Sequence, residues 1–70
     1  MTILSSFAEN LKHLRSEKGW SQEEFAERSG LHRTYISGLE RGARNPTLLV
    51  LERLATALEV HEAVLLERRE

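Results

Sequence analysis

The stretch from Gln22 to Glu40, QEEFAERSGLHRTYISGLE, is typical of two short helices that are interrupted at a single glycine. Gly30 can adopt the positive φ that ends one helix and turns the chain sharply. The small Ala26 lies four residues before Gly30 and ten before Ile36, so a second helix can cross close to the first. This spacing predicts a helix-turn-helix motif.

Two serines mark helix starts by the spacing of a reciprocal capping box, in which a serine precedes a glutamate by three residues. Ser6 with Glu9 predicts that helix 1 begins after Ser6, and Ser21 with Glu24 predicts the start of helix 2. Apolar residues then recur every three or four positions, as expected for helices that bury one face. The predicted helices are helix 1 up to Gly19, helix 2 from about Gln22 to Ser29, helix 3 from about His32 to Arg41, helix 4 from about Leu48 to Leu58, and a C-terminal helix 5. The fold class is therefore all-α, in a single domain over residues 1–70.

The balance of charge bounds the classes of partner. The chain carries a formal net charge of -1, whereas domains that bind polyanions passively are usually strongly basic. Only residues 31–46 are positive, because Arg33, Arg41 and Arg44 there outnumber Glu40. A phosphate-binding face must therefore be narrow and centred on this segment. The competing interpretation is that so small a cluster is an ordinary solvated face.

The face of helix 3 that points away from the predicted core is formed by small or hydrogen-bonding residues, namely His32, Arg33, Thr34, Ser37 and Gly38. A helix with this surface can enter a DNA major groove about 12 Å wide. Arg33 can bind a guanine edge with two hydrogen bonds, and Thr34 and Ser37 can donate or accept. We predict base contacts from these three residues and from His32, which is otherwise an indifferent first residue of the helix. Gly38 costs about 1 kcal/mol relative to alanine in a helix interior, and a close backbone approach is its natural reason, against simple tolerance.

Phosphate contacts are predicted around helix 3. Gln22 lies in the first turn of helix 2, where unpaired N–H groups also point, although it is equally consistent with an ordinary helix former. Tyr35 can reach a phosphate through its hydroxyl or cover the side of the core. The loop from Arg41 to Pro46 can hold phosphates or cap local carbonyls, and Asn45 is the loop residue for which we favour a structural role. The predicted backbone-contacting residues are Gln22, Ser21, Tyr35, Arg41, Arg44 and Asn45.

Helix 4 is predicted to bury Leu48, Leu51, Leu54, Ala55 and Leu58, which share one face. Leu49 and Val50 lie off that face, and helix 5 is also more apolar than one buried face requires. We predict that Leu49, Val50, Val64 and Leu65 form a two-fold dimer interface, against the alternative that they are ordinary core. Arg68, Arg69 and Glu70 are expected to form a frayed end.

Other functions find little support in the residue types present. Because the sequence contains no cysteine, disulfides and thiolate metal sites are excluded. His13, His32 and His61 are far apart in sequence, so we predict no metal and no cofactor. The sequence shows neither a nucleophilic residue paired with a general base nor a glycine loop that could cradle a phosphate, so nothing in it indicates an enzyme. Since no apolar run approaches a membrane span of about 20 residues, and Met1 to Leu4 is too short for a signal peptide, the expected location is the cytoplasm.

The joint spacing of many residues resembles a known family over nearly the whole chain, the Cro and phage-repressor (XRE-type) helix-turn-helix regulators. The residues that carry the resemblance are Phe7, Leu11, Leu14, Arg15, Lys18, Gly19, Ser21, Gln22, Glu23, Glu24, Phe25, Ala26, Ser29, Gly30, Leu31, Tyr35, Ile36, Ser37, Glu40, Arg41, Gly42, Arg44, Asn45, Pro46, Leu51, Leu54, Ala55 and Leu58. The resemblance implies a five-helix, lambda-repressor-like DNA-binding domain that binds operators as a dimer. It also implies base contacts from Arg33, Thr34 and Ser37, and backbone contacts near Gln22 and Arg44.

One departure from that family narrows the resemblance. Gly38 stands where many of these repressors carry a base-reading glutamine or lysine. The string from Arg33 to Arg41, RTYISGLER, is more similar to the controller proteins of restriction-modification systems, which are small dimers that regulate their own operon.

The leading hypothesis is a homodimer that binds double-stranded DNA sequence-specifically and regulates transcription from a two-fold symmetric operator, with RNA polymerase as a further candidate partner. The alternative from another class is an antitoxin or adaptor whose apolar C-terminal face binds a different protein. The oligomeric state of the purified chain distinguishes the two hypotheses.

Overall fold

Five α-helices follow one another in the computed structural model, which describes residues 1–69. They are α1 (Ile3–Glu17), α2 (Gln22–Ser29), α3 (Arg33–Glu40), α4 (Leu48–Leu58) and α5 (Glu62–Leu65). This part of the chain contains no β-strand, which confirms the predicted all-α class. The bounds of α2 and α4 are those predicted. Glu70, which was predicted to belong to a frayed end, lies outside the described residues.

The start of α1 differs from the prediction. The helix begins at Ile3, and the side chain of Thr2 caps it by accepting a hydrogen bond from the Ser5 N–H at 3.2 Å. Ser6 is fully buried inside the helix, where its hydroxyl accepts a bond from the Arg69 N–H at 2.9 Å. Thr2 and Ser6 are equally good caps by residue type, but the earlier start lets Leu4 pack against the core.

Side-chain caps also start α2 and α4. The Ser21 hydroxyl accepts from the Glu24 N–H at 3.0 Å, as predicted. The Glu24 carboxylate does not complete the capping box, because it accepts from Arg28 Nε at 2.7 Å instead. The Thr47 hydroxyl caps α4 by accepting from the Val50 N–H at 3.2 Å.

The core lies between all five helices and anchors α3, the second helix of the predicted helix-turn-helix. Its largest fully buried members are Phe7 and Leu11 from α1, Phe25 from α2, Ile36 and Leu39 from α3, Leu54 and Leu58 from α4, and Leu65 from α5. Helix α3 packs against both α1 and α2. Since Ile36 and Leu39 are wholly removed from solvent, the opposite side of α3 must face outward.

The turn between α2 and α3 has the geometry that the sequence predicts. Gly30 has φ +72°, and the Leu31 N–H donates to the Ala26 carbonyl at 2.9 Å across the end of α2. Ala26 itself is buried. Helices α2 and α3 therefore form a helix-turn-helix.

Two apolar residues have exchanged their predicted environments. Leu48, predicted to lie in the core, is 82% exposed. It is the first residue of α4, so its side chain leans over the turn before the helix rather than onto the core. Leu65, predicted at a dimer interface, is fully buried because α5 folds back against α1 and α4. The expectation that Leu65 is available to a partner is wrong.

The C-terminal segment is pinned to α1, so the expectation of fraying is wrong for Arg68 and Arg69. The buried amide of Asn10 donates to the Leu65 carbonyl at 2.9 Å and to the Glu67 carbonyl at 2.8 Å. Asn10 also accepts a hydrogen bond from Arg69 Nε. Arg68 Nη2 donates to the Met1 carbonyl at 3.3 Å. The two bonds from Asn10 satisfy carbonyl groups at the end of α5 and just after it, which so short a helix leaves without partners.

Candidate nucleic-acid interface

The outward side of α3 presents most of the residues that were predicted to face solvent. His32, Arg33 and Thr34 are exposed, and Ser37 is half-buried. His32 precedes the helix and makes no side-chain cap hydrogen bond. These four side chains lie within two turns of one helix, so they can meet the same groove. Their contacts with bases remain predictions.

Gly38 is the exception, since it is buried rather than outward. The side chain of Arg44 covers it. A Cβ atom built on Gly38 would lie 2.8 Å from Arg44 Cγ, closer than two carbon atoms approach without a shift. The close approach that the sequence suggested at Gly38 is therefore made by a side chain of the same protein.

Tyr35 and Arg44 lie together beside Gly38. Tyr35 is half-buried and packs against the core, in agreement with the packing alternative. The guanidinium carbon of Arg44 lies 5.8 Å from the centroid of the Tyr35 ring, within the range of a cation–π interaction. Arg44 nevertheless remains exposed, so its charge is accessible to a ligand.

The loop after α3 is fixed by backbone hydrogen bonds at the helix end. Gly42 has φ +74°, and its N–H donates to the Leu39 carbonyl at 3.1 Å. The Ala43 N–H donates to the Gly38 carbonyl at 2.9 Å, which completes a Schellman motif. Arg41 Nη1 donates to the Ser37 hydroxyl at 2.6 Å. Asn45 is exposed, and its side chain makes no hydrogen bond within residues 1–69, so the structural role favoured for it is not found.

The arginines of this segment are not neutralised by acidic side chains. Within the described part of the chain, no salt bridge involves Arg33, Arg41 or Arg44. The acid of the same segment, Glu40, has a side chain that is only 3% exposed and is held by Arg15. The charge that this segment presents to solvent is therefore that of its three arginines.

The Arg15–Glu40 pair was not anticipated from the sequence. Arg15 Nε and Nη2 donate to the two carboxylate oxygens of Glu40 at 2.6 and 3.0 Å, and Nη1 donates to the Trp20 carbonyl at 2.7 Å. The hydrogen bond to Glu40 raises the pKa of Arg15 above its ordinary value, while burial acts in the opposite direction. The pair ties α1 to the end of α3 and so fixes the orientation of the exposed face.

The side-chain amide of Gln22 is already hydrogen-bonded within the protein. Its Nε2 donates to Glu40 Oε1 at 3.0 Å, and the neighbouring Ser21 hydroxyl is occupied as the cap of α2. A primary amide has two N–H donors, so Gln22 keeps one for a phosphate. The first turn of α2 also carries Glu23 and Glu24, whose charges oppose an anion there. The predicted phosphate contact of Gln22 therefore depends on an amide that Glu40 orients.

Other kinds of site are not evident in residues 1–69. No three His, Cys, Asp or Glu side chains come together as potential metal ligands there. His13 Nε2 lies 3.2 Å from Glu17 Oε2, and His61 Nδ1 lies 3.8 Å from Glu62 Oε1, so each of these histidines is close to a single carboxylate. None of the helices described is both long and apolar enough to cross a membrane.

Five helices, a helix-turn-helix whose second helix is anchored in the core by Ile36 and Leu39, and an unneutralised basic surface on that helix and the loop after it define an all-α helix-turn-helix domain. The chain belongs to the helix-turn-helix family, since the family model described as Helix-turn-helix matches residues 11–65. The resemblance drawn from the sequence is thereby confirmed.

Curated relatives narrow this assignment. The chain is similar to control protein C.SmaI from Serratia marcescens, with 48% identity over 69 residues that cover 99% of this chain and 82% of that protein. It is also similar to the uncharacterized HTH-type transcriptional regulator y4dJ from Sinorhizobium fredii, with 55% identity over 51 residues. That match covers 73% of this chain and 66% of the regulator.

Solved structures agree with these relatives. The restriction-modification controller protein C.AhdI from Aeromonas hydrophila superimposes with a TM-score of 0.86 at 47% identity, covering 89% of this chain and 94% of that one. The controller protein C.Esp1396I, solved as a tetramer in complex with its natural 35 base-pair operator, gives a TM-score of 0.84 at 45% identity. That match covers 93% of this chain and 86% of C.Esp1396I.

Proposed function

We propose that this protein is a sequence-specific double-stranded DNA-binding transcriptional regulator, which acts as a homodimer on a two-fold symmetric operator and serves as a restriction-modification controller. The observation that carries the proposal is the exposed side of α3 and its loop, where Arg33, Arg41 and Arg44 have no acidic partner within the described residues. The similarity to controller proteins supports the same function.

In the proposed complex, α3 lies in the major groove. Arg33, Thr34 and Ser37 contact base edges, with His32 at the helix start, and these contacts read the sequence. Phosphate contacts come from the flanking positions and set the register on the duplex. The residues assigned to them are Ser21, Gln22, Tyr35, Arg41, Arg44 and Asn45. Because the net charge is -1, affinity depends on this local surface and on two copies of it.

The proposed dimer uses an apolar face at the start of α4. Leu48 and Leu49 are 82% and 73% exposed, and Ile3 of α1 is 50% exposed. Ile3 and Leu48 line one groove together with buried Phe7, so these two side chains form a continuous apolar surface, and Leu49 is the next residue of α4. Val50 and Val64 are half-buried and can contribute at its edges, whereas Leu65 cannot. Covering this face with a second copy removes it from water.

The remaining parts of the proposal concern the cellular setting. C.SmaI is named a control protein, and C.Esp1396I was crystallised on its operator. By analogy, this protein controls an operon that encodes a restriction endonuclease, acts in the cytoplasm, and works by binding rather than by catalysis. RNA polymerase is the proposed further partner. Finding a restriction endonuclease gene next to its own gene is the expected genomic context.

Selection from a randomised duplex library tests the DNA-binding function. We expect the wild-type protein to enrich a two-fold symmetric site whose halves lie about 10 to 10.5 bp apart, centre to centre. Arg33→Ala serves as the control and should enrich a site that is degenerate at one position in each half. Failure of the wild-type protein to enrich any sequence at low salt would overturn the proposal.

A further inference from the structure

Gly38 is the point at which the loop after α3 closes over the helix. The residue lies inside α3 and has no positive φ, so the backbone there accepts any L-amino acid except proline. What excludes a side chain is Arg44, whose Cγ would lie 2.8 Å and whose Nε would lie 3.6 Å from a Cβ on Gly38. Since Cγ is only two bonds from Cα, moving the guanidinium end alone cannot relieve this contact, and the side chain must shift from its base.

Two further contacts keep Arg44 in this place. The Ala43 N–H donates to the Gly38 carbonyl at 2.9 Å, so the backbone just before Arg44 is bonded to the residue that its side chain covers. The far end of the side chain lies over the Tyr35 ring, at 5.8 Å from the centroid. Arg44 therefore crosses α3 from Gly38 to Tyr35 and leaves its guanidinium on the exposed side of the helix.

We propose that Gly38 is a positioning residue for DNA binding, because its missing side chain lets Arg44 lie across α3 and present its guanidinium to a phosphate as part of the recognition-helix surface. This inference rests on the proposed function. It assigns to Gly38 a role inside the protein, in place of a close approach between the helix backbone and DNA.

The arrangement predicts that a methyl group at Gly38 and the removal of the Arg44 side chain have the same effect on DNA binding. In Gly38→Ala, Arg44 moves off the helix and no longer reaches its phosphate. Helix stability should not fall, because alanine is a better helix former than glycine. Removing one phosphate interaction per subunit lowers the affinity for DNA about tenfold per bound subunit at about 0.1 M salt, and it reduces the salt slope by about 0.9 per bound subunit.

Binding to a random-sequence 20-bp DNA duplex, measured as a function of salt concentration, tests the inference without knowledge of the operator. Gly38→Ala and Arg44→Ala should weaken binding equally, and the double variant should be no weaker than either. Arg41→Ala is the matched control, because Arg41 bonds to Ser37 and does not cover Gly38. Its effect should multiply with that of Gly38→Ala.

A measurement without DNA separates this inference from the proposed function. In the free wild-type protein, the ring current of Tyr35 should shift the δ-proton resonances of Arg44 upfield, and Gly38→Ala should return them toward values typical of exposed arginine. The Arg41 δ-protons serve as the internal control. Wild-type protein that binds no DNA overturns the proposed function and the role of Gly38 in it. Normal DNA binding by Gly38→Ala, multiplicative effects with Arg44→Ala, or unchanged Arg44 resonances would overturn this inference alone.

Discussion

The Glu40 carboxylate connects three helices from a nearly inaccessible position. It receives two hydrogen bonds from Arg15 of α1 and one from Gln22 of α2, all between 2.6 and 3.0 Å. Both members of the ion pair are shielded, with side-chain exposures of 13% for Arg15 and 3% for Glu40. In such surroundings the two groups depend on each other, because either one alone would be a charge buried without a partner.

Glu40→Gln should therefore destabilise the fold strongly. The substitution keeps the shape of the side chain but leaves the Arg15 charge without its counterion, at a cost of about 3 kcal/mol in the free energy of unfolding. Urea denaturation measures the destabilisation. Glu24→Gln is the matched control, since its carboxylate pairs with Arg28 on the surface and should change stability by less than about 1 kcal/mol. Similar small effects of both variants would show that the Glu40 pair does not hold the helices together.

Replacing Arg33 and replacing Arg44 by alanine should change DNA binding in different ways. Arg33→Ala should cost about 1 to 3 kcal/mol on the selected operator and relax specificity at one position in each half-site. Arg44→Ala should weaken cognate and random duplexes about equally and flatten the salt dependence. Titrations of both duplexes at several salt concentrations measure the difference. If both substitutions act equally on cognate and random DNA, the division into base and phosphate contacts is wrong.

For single residues, the sequence predicted which side chains are exposed better than it predicted which side chains pair with each other. Arg33 and Thr34 are exposed as expected, because their positions follow from helix periodicity once Ile36 and Leu39 are placed inside. Periodicity does not reveal that Arg15 meets Glu40, 25 residues away, in a chain with 11 acidic residues. Nor does it reveal the burial of Gly38, which depends on the path of the following loop.

Among the helices, α4 ends differently from the three before it. The first three are followed by glycines with positive φ, whereas α4 is followed by Glu59 with φ +60°. The hydrogen bonds there are those of a Schellman motif, from Glu59 to Thr56 at 3.1 Å and from Val60 to Ala55 at 3.0 Å. A residue with a Cβ atom is strained in this conformation by about 1 kcal/mol or more.

Glu59→Gly should consequently stabilise the protein by up to about 1 kcal/mol, since glycine adopts the left-handed conformation without strain. The exposed ion pair with Lys18, at 3.4 Å, contributes too little to offset this gain. Glu52→Gly, at an exposed position inside α4, is the control and should lose about 1 kcal/mol. Thermal unfolding of both variants measures the effect. A lower melting temperature for Glu59→Gly would contradict a strained helix end at this residue.

The bounds of a helix were predictable where the sequence offers a single candidate for the capping residue. Ser21 and Gly30 bracket α2, and Thr47 precedes α4, so the bounds of these helices agree with the structure. The start of α1 was missed because Thr2 and Ser6 carry equivalent cap signals, and only the packing of the chain chooses between them. Helix α5 is only four residues long, and hydrogen bonds from Asn10 hold the segment that follows it. Asn10 and Glu67 are 57 residues apart, so no local sequence pattern indicates the hydrogen bond between them.

At the scale of the molecule, the chain measures 29 × 22 × 22 Å and cannot enclose all its apolar residues. Ile3 and Leu48 line one groove, Leu49 follows Leu48 on α4, and all three side chains remain exposed. The run from Leu48 to Leu51 is apolar throughout, so hydropathy alone could not show which of its members are buried. In the proposed dimer, the two α3 helices must lie about one DNA turn, roughly 34 Å, apart to enter successive major grooves.

Leu49→Glu and Leu48→Glu should therefore yield folded monomers. The two side chains are 73% and 82% exposed, so a charge there does not enter the core. In a dimer, however, it would be buried against an apolar partner surface without a counterion. Sedimentation equilibrium should give twice the 8.0 kDa chain mass for the wild-type protein and the single chain mass for both variants.

The same experiment separates a regulator that dimerises with itself from an adaptor that binds a different protein. Thr56→Glu, which places the same charge at an exposed position of α4, is the control and should remain dimeric. The monomeric variants should also lose operator affinity, because each copy of α3 then binds a half-site alone. Variants that still sediment as dimers would show that the interface lies elsewhere on the molecule. A wild-type chain that is monomeric until a foreign protein joins it would instead support the adaptor, with the face formed by Leu48, Leu49 and Ile3 as its binding surface.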